Sequence, residues 1–385
     1  MDFELTDEQK QYQQLIRTWV DDNWPKSRAR EIESREYQYP VELWDDFSKL
    51  GLHRLTLSPD YGGDGADVLT QAIAARELAR SLGHLTWVWG ITSFCGLTVQ
   101  DHGSPALKDE LLPAVASGKA RFTISVTEPD GGTDLLGALS TRAAKVDGGW
   151  VIRGSKVWST GAQAADYLLV LARTSKGERK SQGTSCFVVP RRAEGVETTL
   201  LPKLGMRCLG SCEVRYDDVF VEDKYLVGEE GRGWYQMLGG LNNERILQAA
   251  VNVGVLDSIL EDAVNYSKQR TAFGKPIGQF QAVQHFIADI ALMRETTSLL
   301  VMKAASVQAR GEEAGLIATM AKIVASEAAT NAADLGIQIL GGMGYSMETD
   351  MQRFWRDARL SRIGPVNNEM ARSLVAESFG LPRAF

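Results

Sequence analysis

A chain of 385 residues is longer than one hydrophobic core usually serves, so two or three subdomains are expected. Hydrophobic residues at 44% and charged residues at 24% describe an ordinary globular protein and exclude a low-complexity or disordered chain; no internal repeat is evident. A net charge of -7 argues against a nucleic-acid-binding surface but leaves room for a local basic site for phosphates.

The first four residues, MDFE, lack the basic start and apolar core of a signal peptide. No stretch is long and apolar enough to span a bilayer, residues 85–99 being broken by Thr, Gly and Ser. Thr6 and Gln9 form a capping-box pair, after which Tyr12, Leu15, Ile16, Trp19 and Val20 recur at helical spacing as far as Pro25. Pro40 begins a second helix that carries Leu43, Phe47 and Leu50 and ends at Gly51. The turn SPDYGGDG at 58–65 resets the chain, and Asp67 caps a helix that stops at Gly83. Residues 1–118 are therefore expected to form an all-helical domain.

From Arg121 the period changes to two. Strand-like runs at 121–126, 139–146, 150–158, 167–173, 184–190 and 213–221 predict a compact antiparallel β domain over 119–230. Beyond Gly228-Glu229-Glu230-Gly231 the helical period returns, with Val283, Phe286, Ile287, Ile290 and Met293 as one buried stripe, and predicts a C-terminal four-helix bundle over 231–385. The fold class is thus α+β and multidomain. Cys95, Cys186, Cys208 and Cys212 are few and scattered, as reduced thiols of a cytosol-like compartment would be, and no His or further Cys joins Cys208 and Cys212 in a metal set. The expected location is a bacterial cytoplasm, or else an organelle after processing.

Two stretches carry chemistry. In VTEPDGGTD at 126–134 a strand delivers Thr127 and Glu128 into a Gly-Gly turn, whose backbone N–H groups can approach an anion closely. In VWSTG at 157–161, after a hairpin marked by Asp147-Gly148-Gly149, a flat aromatic face arrives beside two hydroxyls. The pair suits a flat heteroaromatic cofactor, although Trp158 taken alone reads more readily as a core residue than as a cofactor platform.

The order helix, β, helix and the segments VTEPDGGTD, GSKVWSTG, KLGMRCLGSCEV, QRTAFGKPIGQFQ, QILGGMGY and RFWRDARLSRI resemble the acyl-CoA dehydrogenase family across essentially the whole chain. The wording is most similar to the carnitine-pathway and the short- or branched-chain branches. The resemblance implies FAD, held between the β domain and the C-terminal bundle by Val126, Thr127, Thr133, Trp158 and Thr160. It also implies contacts from Arg270, Phe273, Gln281, Gln338, Gly341 and Gly342 to the FAD of a neighbouring subunit, and hence a homo-oligomer, expected to be a tetramer. Asn367 and Glu369 are implied as further cofactor contacts, where the family more often has Thr at 367.

The implied reaction takes an α-proton from an acyl thioester with a carboxylate while the β-hydrogen leaves as hydride. Many relatives place that Glu shortly after RDAR, but here the segment reads RIGPVNNEM and Pro365 occupies the position. Proline also lacks the backbone N–H that relatives offer the thioester oxygen there. Another family pattern puts Glu on a bundle helix, and LNNERILQAA at 241–250 matches it with Glu244 as the base. Thr133, Asn242, Arg245 and Trp89 are the implied substrate contacts, and Trp87, Trp89 and Phe94 either shorten the acyl pocket or belong to the core. The implied substrate is acyl-CoA and the implied acceptor an electron-transfer flavoprotein; the alternatives are an acyl group on a carrier protein, or oxygen as the reoxidant of the flavin. A catalytically silent subunit that completes a partner's flavin site is the competing class.

Overall fold

The computed structural model describes residues 5–383, apart from the surroundings of residues 239 and 241, so the MDFE start lies outside the described residues. Thr6 accepts the Gln9 N–H while the Gln9 side chain accepts that of Thr6, and this reciprocal cap starts α1 (Asp7–Asn23). A helix absent from the sequence expectation follows, α2 (Lys26–Ser34), whose run KSRAREIES holds only Ala29 and Ile32 as apolar residues and so shows no stripe. Helix α3 (Val41–Leu50) stops at Gly51, where φ is +81°. The Asp67 carboxylate takes the Thr70 N–H at 2.8 Å and begins α4 (Val68–Leu82). Helices α5 (Trp87–His102) and α6 (Pro105–Ala116) complete the N-terminal group.

The β domain contains β1 (Phe122–Ser125), β2 (Arg142–Val146), β3 (Gly149–Thr160), β4 (Tyr167–Arg173), β5 (Thr184–Pro190), β6 (Val196–Leu201), β7 (Ser211–Glu222) and β8 (Leu226–Val227). They form one sheet in the order β6-β7-β3-β2-β4-β5-β8, with β1 paired to β4. Hairpin neighbours are antiparallel, as where Val146 meets Gly149 across Asp147-Gly148. The expectation of a purely antiparallel sheet needs one correction: β1 runs parallel to β4, and β2 touches β4 in the same sense. No hairpin constrains β1, because its partner comes only after a long excursion of chain. Strands β6 and β8 went unpredicted because one is a half-exposed edge and the other has two residues.

The C-terminal part begins with α7 (Gly233–Gln269), 37 residues long. A small hairpin of β9 (Thr271–Ala272) and β10 (Lys275–Pro276) leads to α8 (Gln281–Ala309). Then come α9 (Gly315–Leu340), α10 (Gly342–Tyr345), α11 (Met351–Leu360) and α12 (Asn368–Glu377). No helix among the described residues is long and apolar enough to cross a membrane.

Three cores hold these parts together. Trp24, Trp44 and Leu78 of the N-terminal helices pack with Ile246, Val301 and Ala325 of the long helices. Phe94, Val99 and Leu111 pack with the sheet through Val170, Phe187 and Val214. Leu256, Ile290, Ala332 and Phe354 form the third, inside the bundle. Helix α5 feeds the first two, with Trp89 on one side and Phe94 on the other, and is therefore the wall between sheet and α7.

Two of the recognisable segments act as clamps. The buried Arg353 guanidinium pairs with Asp350 at 2.7 Å and donates to the carbonyls of Leu82 (3.0 Å) and Ser81 (2.8 Å), so it closes the open end of α4 onto α11. The Asp357 carboxylate takes the Met206 N–H at 2.7 Å and joins α11 to the loop after β6.

Candidate active site

The two chemistry-bearing stretches meet in space. The Val157 N–H donates to the Thr127 carbonyl at 2.8 Å, and the Lys156 ammonium donates to the Val126 carbonyl and to Glu128 Oε1, each at 2.9 Å. Lys156 and Glu128 are both buried. Burial pushes up the Glu128 carboxyl, but the Lys156 charge and donors from Ser140 and Thr141 outweigh it and hold the group down to about 2. Glu128 is thus a structural acid that fixes the turn, and it does not face an incoming ligand. Sequence reasoning missed this pair, although a Lys in the inward register of β3, in step with Trp150 and Ile152, is a readable signal of a buried partner.

Trp158 follows at a break in register between Lys156 and Ser159, with φ of +63° and 58% exposure. A bulky residue in the left-handed region is a genuine outlier, and the bulge turns its ring out of the sheet. Beside it Ser159 Oγ donates to Ser125 Oγ at 3.2 Å, and Thr160 Oγ1 lies 3.1 Å from Ser211 Oγ. In the neighbouring turn Thr133 is exposed, and a side chain at Gly132 would meet nothing within 4 Å. An open Gly turn, a hydroxyl and an outward indole fit a cofactor with a phosphate and a flat ring.

The C-terminal segment reaches this turn: Asn367 Nδ2 donates to Thr133 Oγ1 at 2.7 Å, while Asn367 Oδ1 accepts the Met370 N–H at 2.7 Å and caps α12. Glu369 sits exposed in the first turn of α12. Residues 366 and 368 are held from below by Lys322 of α9, a second buried cation that sequence reasoning missed.

Glu244 lies on α7. One turn earlier, a side chain on Gly240 would come within 2.8 Å of the Phe94 ring, so α5 crosses α7 there and Glu244 continues the same face. The Glu244 charge is also felt by Cys95, whose thiol burial has already pushed well up. Burial raises the Glu244 carboxyl to about 7, against the opposing pull of Arg245. Arg245 donates to Asn242 Oδ1 at 3.2 Å, and burial lowers its own pKa. Trp89 is 1% exposed and packed in the first core.

The remaining predicted contacts are elsewhere. Arg270 ends α7, and Phe273, at φ of +50° and 96% exposure, tips the β9–β10 hairpin. Gln281, Gln338, Gly341 and Gly342 are exposed at the start of α8 and the end of α9. At 1.5 Å per residue, Arg270 is about 40 Å along α7 from Glu244. One chain therefore does not bring the two groups together.

Models of the acyl-CoA dehydrogenase N-terminal, middle and C-terminal domains match residues 6–119, 123–219 and 231–380. Mitochondrial isovaleryl-CoA dehydrogenase of Oryza sativa subsp. japonica is 34% identical over 376 residues, covering 96% of this chain and 90% of the relative. Cyclohex-1-ene-1-carbonyl-CoA dehydrogenase of Syntrophus aciditrophicus (strain SB) is 35% identical over 385 residues, covering 98% and 91%. The structure of butyryl-CoA dehydrogenase from Megasphaera elsdenii matches with a TM-score of 0.93 at 32% identity, covering 99% of this chain and 100% of that one. The chain belongs to the acyl-CoA dehydrogenase family, and with it is an FAD-dependent oxidoreductase.

Proposed function

We propose that this protein oxidises the α,β-bond of an acyl-CoA thioester to a double bond, with Glu244 as the base that takes the α-proton. The observation that carries the assignment is a carboxyl on α7 raised to about 7 by burial, in a chain whose other family position for the base holds Pro365. A base poised near neutrality combines a populated ionised form with enough basicity to act. When bound, FAD supplies the acceptor for the β-hydrogen and its electron pair. Val126, Thr127, Thr133, Trp158, Thr160, Asn367 and Glu369 would hold it from one subunit; Arg270, Phe273, Gln281, Gln338, Gly341 and Gly342 would hold it from another. Asn242 and Arg245 orient the thioester beside Glu244, Thr133 meets its CoA side and Trp89 backs its acyl side. Phe94, filling the space above Gly240, favours a short, branched or compact acyl group. An electron-transfer flavoprotein is the proposed reoxidant.

Glu244→Gln keeps size and removes basicity. The variant should bind FAD and acyl-CoA in full yet lose rapid flavin bleaching; near-normal reduction would exclude Glu244 as the base. Running the wild type against CoA and carrier-protein thioesters separates the two donors.

A further inference from the structure

Lys322 is 1% exposed and sits among the small residues Ala318, Ala321 and Ala325 by which α9 packs in the first core. An ammonium in such a place must have its donors satisfied. It donates to the Val366 carbonyl and, at 2.8 Å, to Asn368 Oδ1. The Asn368 amide is held in turn, donating to Ser326 Oγ at 3.0 Å and to Glu327 Oε1 at 3.1 Å, and Glu327 accepts Arg372 at 2.7 Å. The Asn368 N–H closes the loop on the Arg362 carbonyl at 3.0 Å. Between these two pinned residues stands Asn367, which reaches across to Thr133. The charged groups facing Lys322 are Arg245, the neighbour of Glu244, together with Glu369, Glu327 and Arg372. Lys322 therefore stands between Arg245, on the helix that carries Glu244, and the loop whose Asn367 reaches Thr133.

We propose that Lys322 is a positioning residue of the reaction: by holding the Val366 carbonyl and the Asn368 amide it fixes the 364–368 loop between Glu244 and Thr133, and so sets the orientation of the bound thioester. The inference rests on the acyl-thioester reading given above. Proline at 365 leaves this loop without one backbone donor of its own, so its placement depends on contacts made from outside it. A loop displaced by about 1 Å costs on the order of a hundredfold in rate, because reacting atoms must meet within a narrow range of distance and angle.

The test uses FAD-loaded protein in rapid mixing with butyryl-CoA and isovaleryl-CoA. Bleaching of the wild type tests the acyl-thioester reading itself, and an unbleached wild type defeats both. Given a bleached wild type, Lys322→Met should reduce its flavin about tenfold to a hundredfold more slowly at saturating substrate, with FAD stoichiometric and the Kd for acyl-CoA within about threefold. Slowed reduction at an unchanged Kd is a split that a purely structural role would not produce. Reduction within about twofold of wild type would overturn the inference. If Lys322→Met loses its FAD, Asn368→Ala carries the test by removing one of the two acceptors: slowed reduction at unchanged Kd supports the proposal, whereas wild-type reduction, or loss of FAD there too, overturns it.

Discussion

Glu128 and Glu244 are carboxyls that their surroundings push in opposite directions, down to about 2 and up to about 7. Both are penalised by burial, but Glu128 has Lys156, Ser140 and Thr141 against it, and Glu244 has only the opposing charge of Arg245. One is consequently a fixed charge and the other an exchangeable proton site. With Glu244 as the proposed base, its protonated form cannot accept an α-proton, so the rate of flavin reduction should rise with pH through a midpoint near 7, read by rapid mixing across that range. Arg245→Met removes the downward pull and should move this rising limb to higher pH. A limb in the ordinary carboxylate range would mean that another group limits the reaction. Because the folded-state value lies above the ordinary 4.5, this site's contribution to stability is full below 4.5 and is lost as pH rises through about 7.

At the scale of elements, the Lys156–Glu128 pair ties β3 to the turn after β1 and so fixes the line from Val126 to Trp158. Burial pulls Lys156 down to about 8 although Glu128 raises it, yet the number of donors on Glu128 keeps the pair charged at neutral pH. Glu128→Gln leaves a buried ammonium without its counter-charge, which costs about 3–5 kcal/mol. The midpoint of urea unfolding should fall and FAD retention with it, since Lys156 also holds the Val126 carbonyl; an unchanged midpoint would mean that the pair contributes little. The depressed value gives the opposite pH sign to Glu244: stability from Glu128 is present above 4.5 and is lost as pH falls through about 2.

At the scale of the molecule, the long α7 separates Glu244 from Arg270, and the far end of the bundle exposes Phe273 at 96%, Tyr345 at 83% and Met347 at 52%. Under the proposed shared site, a second copy of the chain would cover these exposed apolar side chains and bring Arg270 to the cofactor. Arg270→Ala should therefore lower the FAD retained through dialysis, while Phe273→Asp should lower both FAD content and particle size in light scattering. Full flavin in the first variant would count against a shared site.

The caps of α1, α3 and α4, the change of period at the β domain and its hairpin turns are local events, set by neighbours three or four residues apart, and they are legible in the sequence. The chemistry-bearing stretches stand out only as a pair and beside the other family-like segments, because a Gly turn or an aromatic beside hydroxyls is a weak signal alone. Tertiary structure alone decided what these residues touch. Glu128 meets Lys156 only because β3 packs beside the turn, and Lys322 is buried only because the 366–368 segment closes over it. The parallel pairing of β1 with β4 joins segments far apart in the chain. The value near 7 at Glu244 is likewise invisible in LNNERILQAA, because it arises from burial, and α5 and its Phe94 ring pack onto α7 from a remote part of the sequence. Local propensity depends on near neighbours, whereas desolvation and ion pairing depend on whichever remote segment the fold packs against a residue.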